Sequence, residues 1–166
     1  MKFGLFDHLE RAGDRPLATQ FDERLAFAAA ADRGNALAAL LAKQGETGHS
    51  AGSFNNHIGV PLSLARLPAD ARFWVLELGM NLAGELTPLS KMARPDVAIV
   101  TNVEHVHTAY FASVEDIAEA KSEIFAGLNP GAAAILNRDN PFFDLLAERA
   151  LAAGAASIIA FGSHAD

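Results

Sequence analysis

The chain has 166 residues, 51% of them apolar and 20% charged, with a formal net charge of −7 and no cysteine. That is one domain of ordinary size with enough apolar residues for a real core. It excludes a disulfide scaffold, a thiolate zinc centre and a cysteine nucleophile, and the acidic balance argues against a general nucleic-acid binder. No apolar run reaches the roughly 18 residues of a membrane helix. The opening MKFGLFDHLE is too acidic and too short in its apolar run for a signal peptide. A soluble, cytoplasmic α/β protein is expected.

Residues 2–6 (KFGLF) read as a short strand, and 13–16 (GDRP) as a turn. Residues 22–33 read as a helix with acids in its first turn. Gly34 breaks it, and Asn35 is placed to cap a second helix that stops at Gly45. Residues 46–56 are small and polar, a loop with room for one short strand. Helix is expected again over 58–67, with Pro61 in its first turn.

From there strand and helix alternate. Strands are predicted over 73–78, 97–101, 133–136 and 157–161, and helices over 84–92, 114–128 and 141–153. Ser113 and Asp116 form a variant capping box at the start of the 114–128 helix. The strands are almost wholly apolar, as buried parallel strands are. Alternation of this kind implies right-handed βαβ units and a mostly parallel sheet with helices on both faces.

In such a sheet ligands bind beyond the carboxyl ends of the strands. That rule selects Glu77, Gly79, Met80 and Asn81 after one strand, and Thr101, Asn102, Glu104, His105 and His107 after the next. Asn137, Arg138 and Asp139 follow a third. Glu77 stands inside an apolar strand, where an ionised carboxylate is costly unless paired or metal-bound. It is either a rim glutamate reaching water or a ligand for a hard cation such as Mg²⁺. His105 and His107 are spaced i, i+2 in a loop, a pattern too common to define a zinc site. Lys121 shares a helical stripe with Ile117, Ala118 and Ile124, an unusual place for an ammonium group. Ser53, Asn55 and Asn56 sit in a loop suited either to a turn or to presenting amides to a ligand. No G-x-x-x-x-G-K-[ST] and no G-x-G-x-x-G occurs anywhere in the chain.

Four stretches together carry a resemblance: SFNNHIGVPLSLARLP, ELGMNLAGEL, RPDVAIVTNVEHVHTAYFASVEDIAEAKSEIFAGL and ILNRDNP. From about residue 36 to 162 the chain resembles the central domain of the ATP-dependent Mur ligases. Within that family it is most similar to the branch that joins D-alanyl-D-alanine to UDP-N-acetylmuramoyl-tripeptide in peptidoglycan precursor synthesis. The resemblance implies an α/β fold of the P-loop NTPase kind, with Mg²⁺ and ATP as cofactors and those two molecules as substrates. It implies that Glu77 binds Mg²⁺, that His107 rather than His105 binds a second metal, and that Lys121 is carbamylated and helps to hold that metal. Ser53, Asn55, Asn56 and Asn81 would face substrate, and Asn137 and Asp139 would lie on the nucleotide side of the rim. Metal ions would neutralise charge on a phosphoryl group as an acyl phosphate forms and is attacked by the dipeptide amine.

The pattern also departs from that family. Where a Gly-Lys-Thr phosphate loop is expected, the chain reads FAAAADRGNALAA. Residues 1–33 resemble instead the opening strand and helix of luciferase-like flavin-dependent monooxygenases. The expectation is therefore a chimera or fragment. Residues 1–33 form one segment and 34–166 a shortened Mur ligase central domain, without ligase turnover of its own. A non-catalytic α/β binding module and a flavin-dependent oxidoreductase fragment are the alternatives. Strand 2–6 is expected to take the place of the missing first strand of the ligase sheet, and would be unpaired if that expectation were wrong.

Overall fold

The computed structural model describes the backbone of residues 2–6 and all of residues 35–52, 54–104 and 110–163. The helix expected over 22–33, the Arg33–Gly34 junction, Ser53, His105 and His107 lie outside the described residues.

Six strands form one parallel sheet in the order β2-β3-β1-β4-β5-β6. They are β1 (Lys2–Phe6), β2 (Thr47–His49), β3 (Phe73–Glu77), β4 (Val97–Val100), β5 (Ala133–Asn137) and β6 (Ser157–Phe161). The expected pairing of KFGLF is realised in the middle of the sheet. Phe3 stands level with Val75 of β3 on one side and with Val97 of β4 on the other.

The connections distribute helices unequally between the two faces. From β1 the chain crosses two positions to the edge strand β2, and every later crossover runs the other way. With right-handed crossovers, the first helix must cover one face and the other four the opposite face. The two apolar clusters agree. Ala38 and Leu41 of α1, helical over residues 35–41, pack with Phe73, Val75 and Val97. On the far face Leu76, Ala98, Val100, Ala134 and Leu136 pack under α2 (Gly59–Arg66), α3 (Leu86–Ala93), α4 (Val114–Ser122) and α5 (Phe143–Ala152). The period-two alternation of a strand accounts for the sorting of neighbouring residues between the two clusters.

Helix ends differ from the sequence expectation for local reasons. Asn35 is already helical, so it is not the cap of α1, and the helix gives way to turns after Leu41 rather than at Gly45. Asn56 Oδ1 accepts the Ile58 and Gly59 N–H groups at the start of α2. Gly84 has φ +90, outside the helical region, so α3 begins two residues later. Its opening N–H groups are served from a distance: the Glu123 carboxylate accepts from Gly84 N (2.5 Å) and Thr87 N (3.1 Å). The expected 114–128 helix is broken into α4 and a 3₁₀ turn, Glu123–Gly127. Ser122 Oγ donates to Glu119 O (2.6 Å), a local bond of the kind that competes with helix propagation. Ser90 Oγ of α3 takes the Ile124 carbonyl.

The capping box read from the sequence is present in part: Asp116 N–H donates to Ser113 Oγ at 3.0 Å. Ser113→Ala is expected to cost about 1 kcal/mol, read as a lower urea midpoint with an unchanged slope; no shift would mean that the cap contributes nothing. Between α4 and α5, Arg149 gives Glu119 two hydrogen bonds, at 2.6 and 2.9 Å. That hydrogen bonding, reinforced by the guanidinium charge, holds the Glu119 carboxyl below its ordinary range.

Candidate active site

The carboxyl ends of β3, β1, β4 and β5 form one rim. The connection leaving β1 goes to the face opposite from those leaving β3 and β4, which is the topological condition for a ligand crevice. Around this rim the structure assembles two groups of polar side chains.

The first group surrounds Glu77, the last residue of β3 and half-buried. Its Oε1 accepts Asn55 Nδ2 at 2.7 Å, and its backbone N–H donates to Ser50 Oγ at 3.1 Å. Gly79 N–H donates to Asn55 O at 2.7 Å. A side chain at Gly79 would meet the Asn55 amide, its Cβ falling 2.7 Å from Asn55 Cγ. The absence of a Cβ there is what allows Asn55 to lie against Glu77. Asn55 is thus turned inward on the carboxylate, and Asn56 is engaged at the start of α2. Asn81 is exposed, with its backbone N–H held by Glu85 Oε2 at 2.6 Å.

The second group lies at the ends of β4 and β5. Lys121 is buried on α4 with Ile117, Ala118 and Ile124, as its stripe predicted, at 3% exposure. Its Nζ donates to the backbone carbonyl of Asn102 at 2.6 Å. The Asn102 side chain in turn lies between Glu104 and Asn140. Asn137 Oδ1 accepts the Asp139 N–H, and Asp139 Oδ2 accepts both the N–H and the hydroxyl of Ser163 at 2.8 Å.

The two groups are separated by β1. Glu77 is level with Leu5 and, across it, with Ile99, so the backbones of β3 and β4 stand about 10 Å apart there. Among the described residues no group of three or more His, Asp or Glu is gathered tightly enough to hold a metal ion. The donors around Glu77 are carboxylate, amide and hydroxyl oxygens, the hard set that Mg²⁺ prefers. Ser50 and Asn140 were not selected from the sequence. Ser50 offered no signal, being one small residue in a polar loop. Asn140 stands at a turn before Pro141, a position more often explained by backbone geometry than by contacts.

A parallel sheet with polar side chains gathered at its carboxyl rim defines an α/β domain with a candidate ligand rim. The profile of the Mur ligase middle domain matches residues 34–166, and the chain belongs to that family. It is 43% identical over 103 residues to the UDP-N-acetylmuramoyl-tripeptide–D-alanyl-D-alanine ligase of Escherichia coli (strain K12), covering 62% of this chain and 23% of that protein. The enzyme of the same name from Bacillus subtilis (strain 168) is 42% identical, with 62% and 22% covered. A crystal structure of MurF from Acinetobacter baumannii superposes with a TM-score of 0.77 at 27% identity, over 99% of this chain and 32% of that one. MurF ligase from Thermotoga maritima in complex with ADP gives 0.65 at 29% identity, over 75% and 28%. The chain therefore spans about a quarter of the length of the relatives it matches. Among the described residues no helix is long and apolar enough to cross a membrane.

Proposed function

We propose that these residues form the middle-domain part of a cytoplasmic ligase that joins D-alanyl-D-alanine to UDP-N-acetylmuramoyl-tripeptide with ATP and Mg²⁺. The observation that carries the reading is the identity of 43% and 42% to two ligases of that name, in a chain whose rim holds the Glu77–Asn55 pair and the buried Lys121. Glu77 would hold Mg²⁺. His107 and a carbamylated Lys121 would hold a second ion, Asn137 and Asp139 would flank the nucleotide, and Ser53, Asn55, Asn56 and Asn81 would face substrate. Bound there, Mg²⁺ supplies charge neutralisation on phosphoryl oxygens. The chain's own residues supply positioning. Asn55 fixes the rotamer of Glu77, and Ser50 anchors the Glu77 backbone from the neighbouring strand's end. As an unmodified ammonium Lys121 donates hydrogen bonds and cannot bind a cation. The metal role therefore requires the anionic carbamate.

Positioning catalysis needs all its parts together, and the sequence has no phosphate loop of the G-x-x-x-x-G-K-[ST] form. These 166 residues alone are accordingly proposed to bind Mg²⁺–nucleotide without completing the ligation. Calorimetric titration with Mg²⁺–ATP checks this. Saturable binding is expected, and Glu77→Gln should weaken it by about tenfold or more, as loss of a group supporting a metal does. A silent titration would favour the second reading, a non-catalytic module, which rests on the missing phosphate loop. ATP turnover that depends on both substrates would overturn the proposed inactivity.

A further inference from the structure

Among the described residues, Asn140 is the one amide side chain that is buried, at 7% exposure. A buried carboxamide must satisfy two donors and an acceptor or forfeit their hydration. Asn140 does so entirely at the rim. Its Nδ2 donates to Asn102 Oδ1 (2.5 Å) and to Val103 O (2.9 Å), and its Oδ1 accepts the Phe142 N–H (3.0 Å). The following Pro141 restricts the Asn140 backbone as well. The side chain therefore ties the start of the loop after β4 to the start of α5. The loop residue it grips is Asn102, whose carbonyl receives Lys121 Nζ at 2.6 Å.

We infer that Asn140 is a positioning residue for Lys121: it holds the Asn102–Val103 segment so that the Asn102 carbonyl keeps Nζ at the rim during conversion to the carbamate. The inference rests on the reading of Lys121 as the carbamate-bearing residue. In that conversion the lone pair of the neutral amine forms an N–C bond to carbon dioxide, drawn from bicarbonate-equilibrated water. One C=O π pair moves onto oxygen, and a proton leaves nitrogen for solvent. The nitrogen keeps one N–H. A backbone carbonyl that accepts from the amine can therefore also accept from the product, whereas a carboxylate in its place would repel the new anion. Asn102 O suits both forms, and Asn140 fixes where it lies.

The test is ¹³C NMR of the chain in ¹³C-bicarbonate, following the lysine carbamate signal as bicarbonate is raised. Lys121→Arg identifies the signal by removing it. Asn140→Ala, and Asn140→Asp, which keeps the oxygen facing Phe142 but loses the amide hydrogens, should each need about tenfold more bicarbonate for half-occupancy, the effect of losing the hydrogen bonds that anchor the acceptor. Thermal melts report whether each variant is folded; should Asn140→Ala unfold, Asn140→Asp carries the comparison. Half-occupancy unchanged in the folded variant overturns the role of Asn140 and leaves the carbamate reading standing. No Lys121 signal in the wild-type chain removes the carbamate reading and this inference with it.

Discussion

Gly127→Ala lowers the melting temperature by about 6–12 °C or more, because the added methyl group has no space to enter. A Cβ at Gly127 would lie 2.1 Å from Ser90 O, 2.2 Å from Ser90 C and 2.6 Å from Lys91 N. All three are backbone atoms of α3, so no rotamer change relieves the contact. The same place is held by hydrogen bonds. Gly127 N–H donates to Ser90 Oγ at 3.0 Å, and Ser90 Oγ donates to Ile124 O. To admit the methyl, the 3₁₀ turn must move off α3 and break both. The expected cost is about 3 kcal/mol or more, at the upper end for overpacking because backbone is struck. Gly131→Ala is the control. It has open space within 4 Å but φ +83, so only the left-handed backbone is penalised, at about 1–2 kcal/mol. Circular dichroism melts that place Gly127→Ala at or above Gly131→Ala would refute the tight packing.

Leu76→Ala is the second large effect. Leu76 has no exposed surface, lies on β3 beside the central strand, and belongs to the larger apolar cluster. Truncation removes burial and leaves a cavity bounded by a sheet that cannot collapse into it. A loss of about 2–5 kcal/mol is expected. Ile159→Ala, on the edge strand β6 at 49% exposure, should cost less than about 1 kcal/mol, since half of that side chain already meets water. Urea unfolding of the two variants decides the matter. Equal midpoints would mean that the face beneath α2–α5 is not the principal core.

Much of the fold was legible because a buried parallel strand announces itself. FWVL within β3 and VAIV of β4 are apolar runs of the kind that sit inside a sheet, whereas SIIAF reads the same way but forms the half-exposed edge strand β6. The cap at Ser113 was legible because it is local, three residues from its partner. Lys121 was legible as an anomaly in a helical stripe, and burial accounts for the anomaly. Its acceptor was not, because a backbone carbonyl leaves no trace in residue identity. The end of α4 was missed for a similar reason. Beside the local Ser122–Glu119 bond, it involves Ser90 taking the Ile124 carbonyl across a gap of 34 residues. The Asn55–Glu77 pair joins side chains 22 positions apart, and only the strand order makes them neighbours. The resemblance selected both residues without indicating that they touch.

The central place of β1 has a consequence for how the chain comes together. The strands on either side of residues 2–6 lie roughly seventy and ninety-five residues further along the chain, a spacing that makes for slow, non-local assembly. Without β1, β2 with β3 and β4 with β5 and β6 would be separate ribbons, each with a raw inner edge of unpaired N–H and C=O groups. The five residues of β1 act as the keystone that closes two half-sheets into one. Losing that strand would bare two edges of the kind that pair with other chains.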